Sequence, residues 1–248
     1  MKSIFWLSAW IVLAVSCQPK NESITLFLAG DSTVANKPYL QGNPEKGWGQ
    51  VFPLYFEEGV KIENHAVNGR STKSFMDEGR WEVLLQNVAP GDYVFIEFGH
   101  NDSKSQDTTR FASAYGAYSD NLRQFVEDVR NLKATPILLT PIVRRNFDEL
   151  GQFYDTHGDY PEAVRKVASD MDVLLIDLHA ATQVMVEQFG QEASKKLFLH
   201  IEVKEYAHLE APIADDTHLS AYGAFKVADM VVADLKKKTP ELVPFFKK

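Results

Sequence analysis

The feature of this sequence that most restricts its fold is the alternation of short apolar runs with longer segments of helical period. Three of the runs, at residues 26–29, 94–98 and 173–178, are apolar at nearly every position. Strands with this composition are typically buried on both faces, as they are in parallel sheets. In chain order, the runs predicted to form strands are residues 24–29, 60–66, 93–98, 136–140 and 173–178.

The intervening segments have the spacing of amphipathic helices. Between residues 113 and 133, apolar side chains recur at every third or fourth position and therefore share one helical face. Further helices are predicted from Pro161 to Met171 and from about Leu219 to Lys238. The repeated order of strand, helix and strand predicts an α/β fold, with a central parallel sheet of about five strands and helices on both faces. Residues 24–248 contain no evident linker or repeat, and a single domain is predicted for them.

The first seventeen residues are predicted to be an export signal rather than part of the fold. Lys2 is followed by an almost unbroken apolar run over residues 4–15, which is too short to span a bilayer and fits a signal-peptide core. The segment resembles a bacterial lipoprotein signal, in which Cys17 would carry the lipid and residues 18–23 would form a short polar linker. The alternative is an ordinary secretory signal with an incidental cysteine. Either way we expect an exported protein. With the lipid anchor it would be periplasmic or at the cell surface, and the anchor would be its only membrane contact.

Charge and cysteine content exclude several classes of function. The chain has 34 acidic and 26 basic residues, which gives a net charge of −8 and argues against a nucleic-acid-binding protein. Cys17 is the only cysteine, so the folded part contains no disulfide, no thiol nucleophile and no cysteine-ligated zinc.

Polar residues follow the first three predicted strands, at the sheet edge where α/β proteins gather their sites. Ser32 follows the first strand within Gly30-Asp31-Ser32, Gly69 follows the second, and Asn101 follows the third. A glycine lets its backbone N–H approach a substrate oxygen closely, and an asparagine amide can donate to a developing oxyanion. Taken singly, each of these residues is equally explained by a turn or a helix cap.

The segment Asp215-Asp216-Thr217-His218 supplies a candidate base at the end of a long loop predicted over residues 199–216. A carboxylate that holds Nδ1–H of an imidazole leaves Nε2 free to accept a proton. Asp215 is preferred to Asp216 because of its three-residue spacing from His218, although the adjacent carboxylate remains an alternative. A metal-ligand or N-cap role is equally compatible with the segment alone. Together with Ser32, Gly69 and Asn101, however, it completes the parts of a serine hydrolase.

These blocks resemble those of the SGNH (GDSL-like) hydrolase superfamily. The matching residues are Gly30-Asp31-Ser32, Gly69, Gly99-His100-Asn101-Asp102 and Asp215-x-x-His218. A longer set is similar to the rhamnogalacturonan acetylesterase family: Gly30-Asp31-Ser32-Thr33-Val34, Gly47-Trp48-Gly49-Gln50, Asn68-Gly69-Arg70-Ser71 and Asp216-Thr217-His218-Leu219-Ser220.

The resemblance implies a three-layer, flavodoxin-like α/β/α sandwich and hydrolysis of acetyl esters on a pectic polysaccharide, with no cofactor and no metal. The expected catalytic residues are Ser32, Asp215 and His218. The expected oxyanion hole consists of the N–H groups of Ser32 and Gly69 and the side-chain amide of Asn101.

The candidate substrate-binding residues are Trp48, Arg70 and His100. The sequence predicts no oligomeric state. A net charge of −8 would repel a polyuronate, so a local positive patch is expected. Its candidate members are Arg70, Lys73, Arg80, Arg144 and Arg145.

Three alternatives remain open at the level of sequence. The first is an esterase of the same superfamily acting on xylan or another short-chain acyl ester, and the second is a non-catalytic glycan-binding lipoprotein. The third is a two-metal phosphoesterase, whose ligands would come from Asp31, His65, His100, Asn101, Asp102 and His218.

Overall fold

The computed structural model describes residues 24–39, 42–203, 206 and 210–247. The predicted signal at residues 1–17, with Cys17, and the linker at residues 18–23 lie outside the described residues. Within the described ranges, no helix is both long enough and apolar enough to cross a membrane.

Five parallel strands form the central sheet in the order β2-β1-β3-β4-β5. The strands are β1 (Thr25–Gly30), β2 (Lys61–Asn64), β3 (Tyr93–Glu97), β4 (Thr135–Leu139) and β5 (Leu174–Ile176). This order is that of flavodoxin-like folds, in which sites lie beyond the carboxyl ends of the strands. The predicted fold class is confirmed, and every strand lies within two residues of its predicted ends, with β2 and β5 shorter at both ends.

Helices cover both faces of this sheet. One core contains residues of α1 (Trp48–Val51), α6 (Leu178–Ala193) and α7 (Ala221–Lys238). The other contains residues of α2 (Thr72–Asp77), α3 (Arg80–Leu85), α4 (Ser119–Asn131) and α5 (Tyr160–Asp170). Successive side chains of a strand point to opposite faces, so Leu26 and Leu28 of β1 join the first core while Phe27 and Ala29 join the second.

Local chemistry accounts for the helix ends that differ from prediction. The helix expected from residue 113 begins only at Ser119, because Gly116 has non-helical dihedral angles (φ −117°, ψ −118°). Helix α7 begins after Ser220, whose hydroxyl accepts a hydrogen bond from the backbone N–H of Gly223 at 3.1 Å.

The loop predicted over residues 199–216 is wrong at both of its ends. Strands β6 (Phe198–Ile201) and β7 (Ile213–Leu219) pair there as an antiparallel ribbon. Sequence reasoning missed it because the polar segment Asp215–His218 gives β7 no alternation of apolar and polar residues.

Candidate active site

Ser32 lies in a tight turn directly after β1 and is 6% exposed. The preceding Asp31 is fully buried, and its Oδ1 accepts hydrogen bonds from the backbone N–H and the hydroxyl of Thr33, both at 3.0 Å. The backbone around the serine is therefore held from both sides by rigid structure, as a nucleophile requires.

His218 reaches Ser32 through an irregularity in the β6–β7 ribbon. Leu199 pairs with Asp215 and its neighbour Phe198 pairs with Leu219, so the residues between Asp215 and Leu219 bulge out of the ladder. His218 Nδ1 lies 2.7 Å from Asp215 Oδ2, and His218 Nε2 lies 3.0 Å from Ser32 Oγ. The structure thus brings together the three residues predicted to be catalytic.

The charges of Asp215 and His218 stabilise each other. Burial raises the pKa of the Asp215 carboxyl, but hydrogen bonds from the His218 ring and from the backbone N–H groups of His218 and Thr217 outweigh it and bring the pKa to about 2. The hydrogen bond to Asp215 raises the pKa of His218 above its ordinary value, against the opposing effect of burial. Asp215 therefore stays ionised, keeps the proton of a neutral His218 on Nδ1 and leaves Nε2 facing the serine.

Asp216, the alternative partner, is engaged elsewhere. Its Oδ1 lies 2.7 Å from Arg145 Nη1 and 2.7 Å from His200 Nε2, and its carbonyl accepts from the backbone N–H of Arg145 at 2.8 Å. The geometry favours Asp215 over Asp216: Asp215 contacts the His218 imidazole, and Asp216 ties the ribbon to the buried Arg145.

The three donors predicted to form the oxyanion hole each have an N–H without a protein acceptor in the described part of the chain. Within the described residues, the backbone N–H groups of Ser32 and Gly69 donate to no protein acceptor. Gly69 adopts φ +76°, a conformation that favours glycine. Asn101 Nδ2 donates to the Arg70 carbonyl at 3.0 Å, which leaves its second N–H unused.

The Asn101 amide is oriented by cations that sequence reasoning missed. Its Oδ1 accepts from Lys104 Nζ at 2.8 Å and lies 3.5 Å from Arg110 Nη1. These contacts fix the amide oxygen toward the two cations and so distinguish it from the Nδ2 end of the amide. The only signal in the sequence was that both cations lie in the loop after Asn101.

Trp48, predicted to bind substrate, is fully buried and presents no ring face to a ligand. Its indole Nε1 donates to Glu97 Oε2 at 2.5 Å, and its backbone N–H donates to the carbonyl of Thr33 at 2.8 Å. That expectation is wrong: the tryptophan braces the turn that carries Ser32. From sequence alone, a large aromatic residue close to a site is equally compatible with stacking on a sugar ring and with packing in the core.

The other two predicted binding residues border the site. Arg70 lines a groove of about 490 Å³ together with Gly69, Lys73 and Arg110. His100 is buried, with Nδ1 3.1 Å from His157 Nε2, and burial holds its pKa well below the ordinary value.

Three carboxyl groups are buried beneath the site. Burial raises the pKa of Asp31, and it raises the pKa of Asp102 to about 7. Burial and, to a lesser extent, the charge of Asp31 raise the pKa of Glu97 to about 8. Glu97 Oε1 lies 3.1 Å from the Thr33 hydroxyl, which also bonds Asp31. The Thr33 hydroxyl has one proton and can donate it to only one of the two carboxyl groups. We therefore infer that the hydroxyl donates to Asp31 and accepts a hydrogen bond from a protonated Glu97.

One group of potential metal ligands occurs among the described residues: Asp155, His157 and His179. Asp155 Oδ1 lies 3.1 Å from His157 Nδ1 and 3.0 Å from His179 Nε2, so the carboxylate already accepts hydrogen bonds from both rings. The ligand set considered for a phosphoesterase (Asp31, His65, His100, Asn101, Asp102 and His218) has no member in this group.

Comparison with known proteins points to one family. A family model described as the GDSL-like lipase/acylhydrolase family matches residues 28–224. Rhamnogalacturonan acetylesterase RhgT of Bacillus subtilis (strain 168) is 41% identical over 214 residues, which cover 86% of this chain and 90% of that protein. The probable rhamnogalacturonan acetylesterase YesY of the same organism is 32% identical over 212 residues, covering 86% and 92%.

Among solved structures, the crystal structure of protein YxiM from Bacillus subtilis superposes with a TM-score of 0.73 at 26% identity. The match covers 87% of this chain and 57% of that one, so this chain spans little more than half of that structure.

Proposed function

The chain belongs to the GDSL-like lipase/acylhydrolase family, and from this premise we propose that it is a serine esterase that removes acetyl groups from rhamnogalacturonan, an acetylated pectic polysaccharide. The observation that carries the proposal is the continuous chain from Asp215 through His218 to Ser32, with contacts of 2.7 and 3.0 Å.

In the first half of the reaction, Ser32 Oγ attacks the acetyl carbonyl carbon while its proton passes to His218 Nε2. The carbonyl oxygen becomes an oxyanion that accepts from the N–H groups of Ser32 and Gly69 and from the Asn101 amide. Each such donor stabilises the transition state by about 3 kcal/mol. The C–O bond to the sugar then breaks, and His218 returns the proton to the departing sugar hydroxyl.

In the second half, water attacks the acetyl group on Ser32. His218 takes a proton from the water, and the same donors hold the second oxyanion. Collapse of this intermediate releases acetate and restores the Ser32 hydroxyl. Asp215 remains ionised throughout and stabilises the imidazolium that forms in each half.

The surroundings of the acyl site favour a glycan over a lipid. The groove beside Gly69 is lined by polar and charged residues, among them the cations Arg70 and Lys73 and the carboxylates of Asp77 and Glu78. A long acyl chain would need apolar walls to bury its methylene groups, whereas such a mixture of donors and acceptors suits the hydroxyl groups of a sugar.

Acetate release from a panel of acetylated glycans tests the function. We expect release from acetylated rhamnogalacturonan by the wild type and none above background from Ser32→Ala. Release from acetylated xylan alone would refute the substrate and leave the esterase activity standing. Equal release by both proteins would refute the serine mechanism.

The predicted export signal and lipid anchor form a separate part of the proposal, supported by the sequence of residues 1–17 alone. We expect metabolic labelling with a fatty acid to tag the wild type and not Cys17→Ser. Labelling of neither protein, with the mature chain released in soluble form, would support the ordinary secretory signal instead.

A further inference from the structure

Among the five cations considered for a positive patch, Arg144 differs from the rest. The other four each pair with a carboxylate within 3.0 Å: Arg70 and Arg80 with Glu78, Lys73 with Asp77, and Arg145 with Asp216. Within the described residues, Arg144 forms no ion pair, and neither does Lys104 in the loop after Asn101.

These two unpaired cations are attached to consecutive residues of the acyl site. Arg144 Nη2 donates to the His100 carbonyl at 3.1 Å, and Lys104 Nζ donates to Asn101 Oδ1 at 2.8 Å. Arg144 Nη1 also lies 3.2 Å from the Thr156 hydroxyl, so the guanidinium is held at both ends. Its Nε–H has no acceptor among the described residues and remains available for a ligand.

The two cations are held together at an electrostatic cost. Burial lowers the pKa of Arg144, and burial followed by the charges of Arg110 and Arg144 lowers the pKa of Lys104. The charge of Asp31 offsets part of this effect at both cations, but neither has an ion-pair partner within the described ranges. Like charges held in this way do not assist folding, and a local conflict of this kind is characteristic of functional sites. An anion bound between them would remove the conflict.

We propose that Arg144 and Lys104 form a subsite for a carboxylate of the substrate, the uronate group of a sugar close to the acetylated one. This inference rests on the proposed function. A guanidinium matches the two oxygens of a carboxylate with parallel N–H donors, and the ammonium of Lys104 adds a second charge. The pair also explains how a protein of net charge −8 attracts an acidic polysaccharide to this place.

Substitutions of Lys104 and Arg144 differ in whether they affect the subsite alone. Lys104 also orients the Asn101 amide, so its removal is expected to slow hydrolysis of every ester. Among the described residues, Arg144 hydrogen-bonds only a backbone carbonyl and a threonine hydroxyl, so its charge can be removed without disturbing an oxyanion donor. Arg144→Gln is therefore the informative variant, and Arg144→Lys retains the charge without the planar fork.

The experiment compares kcat/KM on acetylated rhamnogalacturonan oligosaccharides with free carboxylates and on the same oligosaccharides after methyl esterification of those carboxylates. We expect the wild type to prefer the carboxylate form at least tenfold. Arg144→Gln should reduce this preference at least fivefold, and Arg144→Lys should restore part of it. Arg123→Gln serves as the control, because Arg123 is an arginine of α4 paired with Asp120 and Asp170, and it should keep the wild-type preference.

The outcomes separate the subsite from the function on which it rests. Equal kcat/KM of the wild type on both forms, or an unchanged preference in Arg144→Gln, would overturn the subsite and leave the esterase standing. A loss in Arg144→Gln that is equal on both forms would also overturn it, because a structural defect lowers both rates alike. Failure of the wild type on both forms, with p-nitrophenyl acetate still hydrolysed, would overturn the proposed substrate as well.

Discussion

Asp215 and Asp216 are neighbours in sequence, but their side chains serve different groups. Asp215 contacts His218 on the side of the nucleophile, whereas Asp216 contacts Arg145 and His200. The alternation of side chains along a strand separates them, and the bulge after Asp215 brings His218 back to the side of Asp215.

We expect Asp215→Asn and Asp216→Asn to affect different properties of the enzyme. Asp215→Asn should lower kcat by about 10³–10⁴-fold, because the amide no longer holds the productive imidazole tautomer. Asp216→Asn should retain most of kcat and lower the free energy of unfolding by about 1–3 kcal/mol, because it leaves the buried Arg145 without its counter-ion. Hydrolysis of p-nitrophenyl acetate and urea unfolding measure the two effects. Similar losses of kcat in both variants would contradict the assignment.

The pH dependence of the reaction follows from the raised pKa of His218. His218 must be neutral to take the serine proton, and the hydrogen bond to Asp215 stabilises its protonated form. We therefore expect kcat/KM to rise with pH and to reach half its maximum above pH 6.5, the ordinary histidine pKa. In Asp215→Asn the midpoint of the residual activity should move to lower pH. A wild-type profile that peaks near pH 4 would exclude His218 as the base.

At the scale of elements, a buried acid joins β1, β3 and α1 beneath the nucleophile. Glu97 ends β3, accepts from the indole of Trp48 at the start of α1 and contacts Thr33 after β1. The carboxyl ends of the two strands and the first turn of the helix are thus connected by one side chain.

We expect Glu97 to make stability depend on pH in a particular direction. Burial raises its pKa from 4.5 to about 8, so between these values the folded chain holds a proton that the unfolded chain has released. Stability therefore falls as pH rises across this window. Glu97→Gln keeps a donor for Thr33 and an acceptor for Trp48 and cannot ionise. The free energy of unfolding, measured with urea at pH 5 and pH 8, should rise in the variant relative to the wild type at the higher pH. The same difference in free energy between the two proteins at both pH values would show that Glu97 does not titrate in this window.

At the scale of the whole molecule, the fold collects the site at one edge of the sheet. Residues after β1, β2 and β3 supply Ser32, Gly69 and Asn101, and the β6–β7 ribbon supplies Asp215 and His218. Because each group is anchored by a different element, the site depends on the correct packing of both cores. The assignment of residues 24–248 to one domain stays a prediction.

We expect the esterase to keep its activity after metal removal, because every step of the proposed reaction uses side chains and backbone N–H groups of this chain. Incubation with excess EDTA followed by dialysis should leave kcat/KM on p-nitrophenyl acetate unchanged. Asp155, His157 and His179 provide the matched check, since a loss of activity that zinc restores would locate a metal requirement at that group.

Much of this protein is already encoded in local patterns of the sequence. The apolar runs predict the five parallel strands, because a strand buried on both faces must be apolar throughout. The positions of Ser32, Gly69 and Asn101 after three of those strands predict that they share one site, because the carboxyl ends of parallel strands lie at one edge of the sheet.

Other features depend on contacts between distant segments, for which the sequence carries no local signal. The choice of Asp215 over Asp216 follows from a bulge created by pairing with β6. Trp48 is buried in the core, where its indole meets Glu97 of β3. Arg144 folds onto the His100 carbonyl and has no ion-pair partner among the residues that the structure describes. Periodicity records which residues are buried, but only tertiary packing decides which buried or charged groups meet.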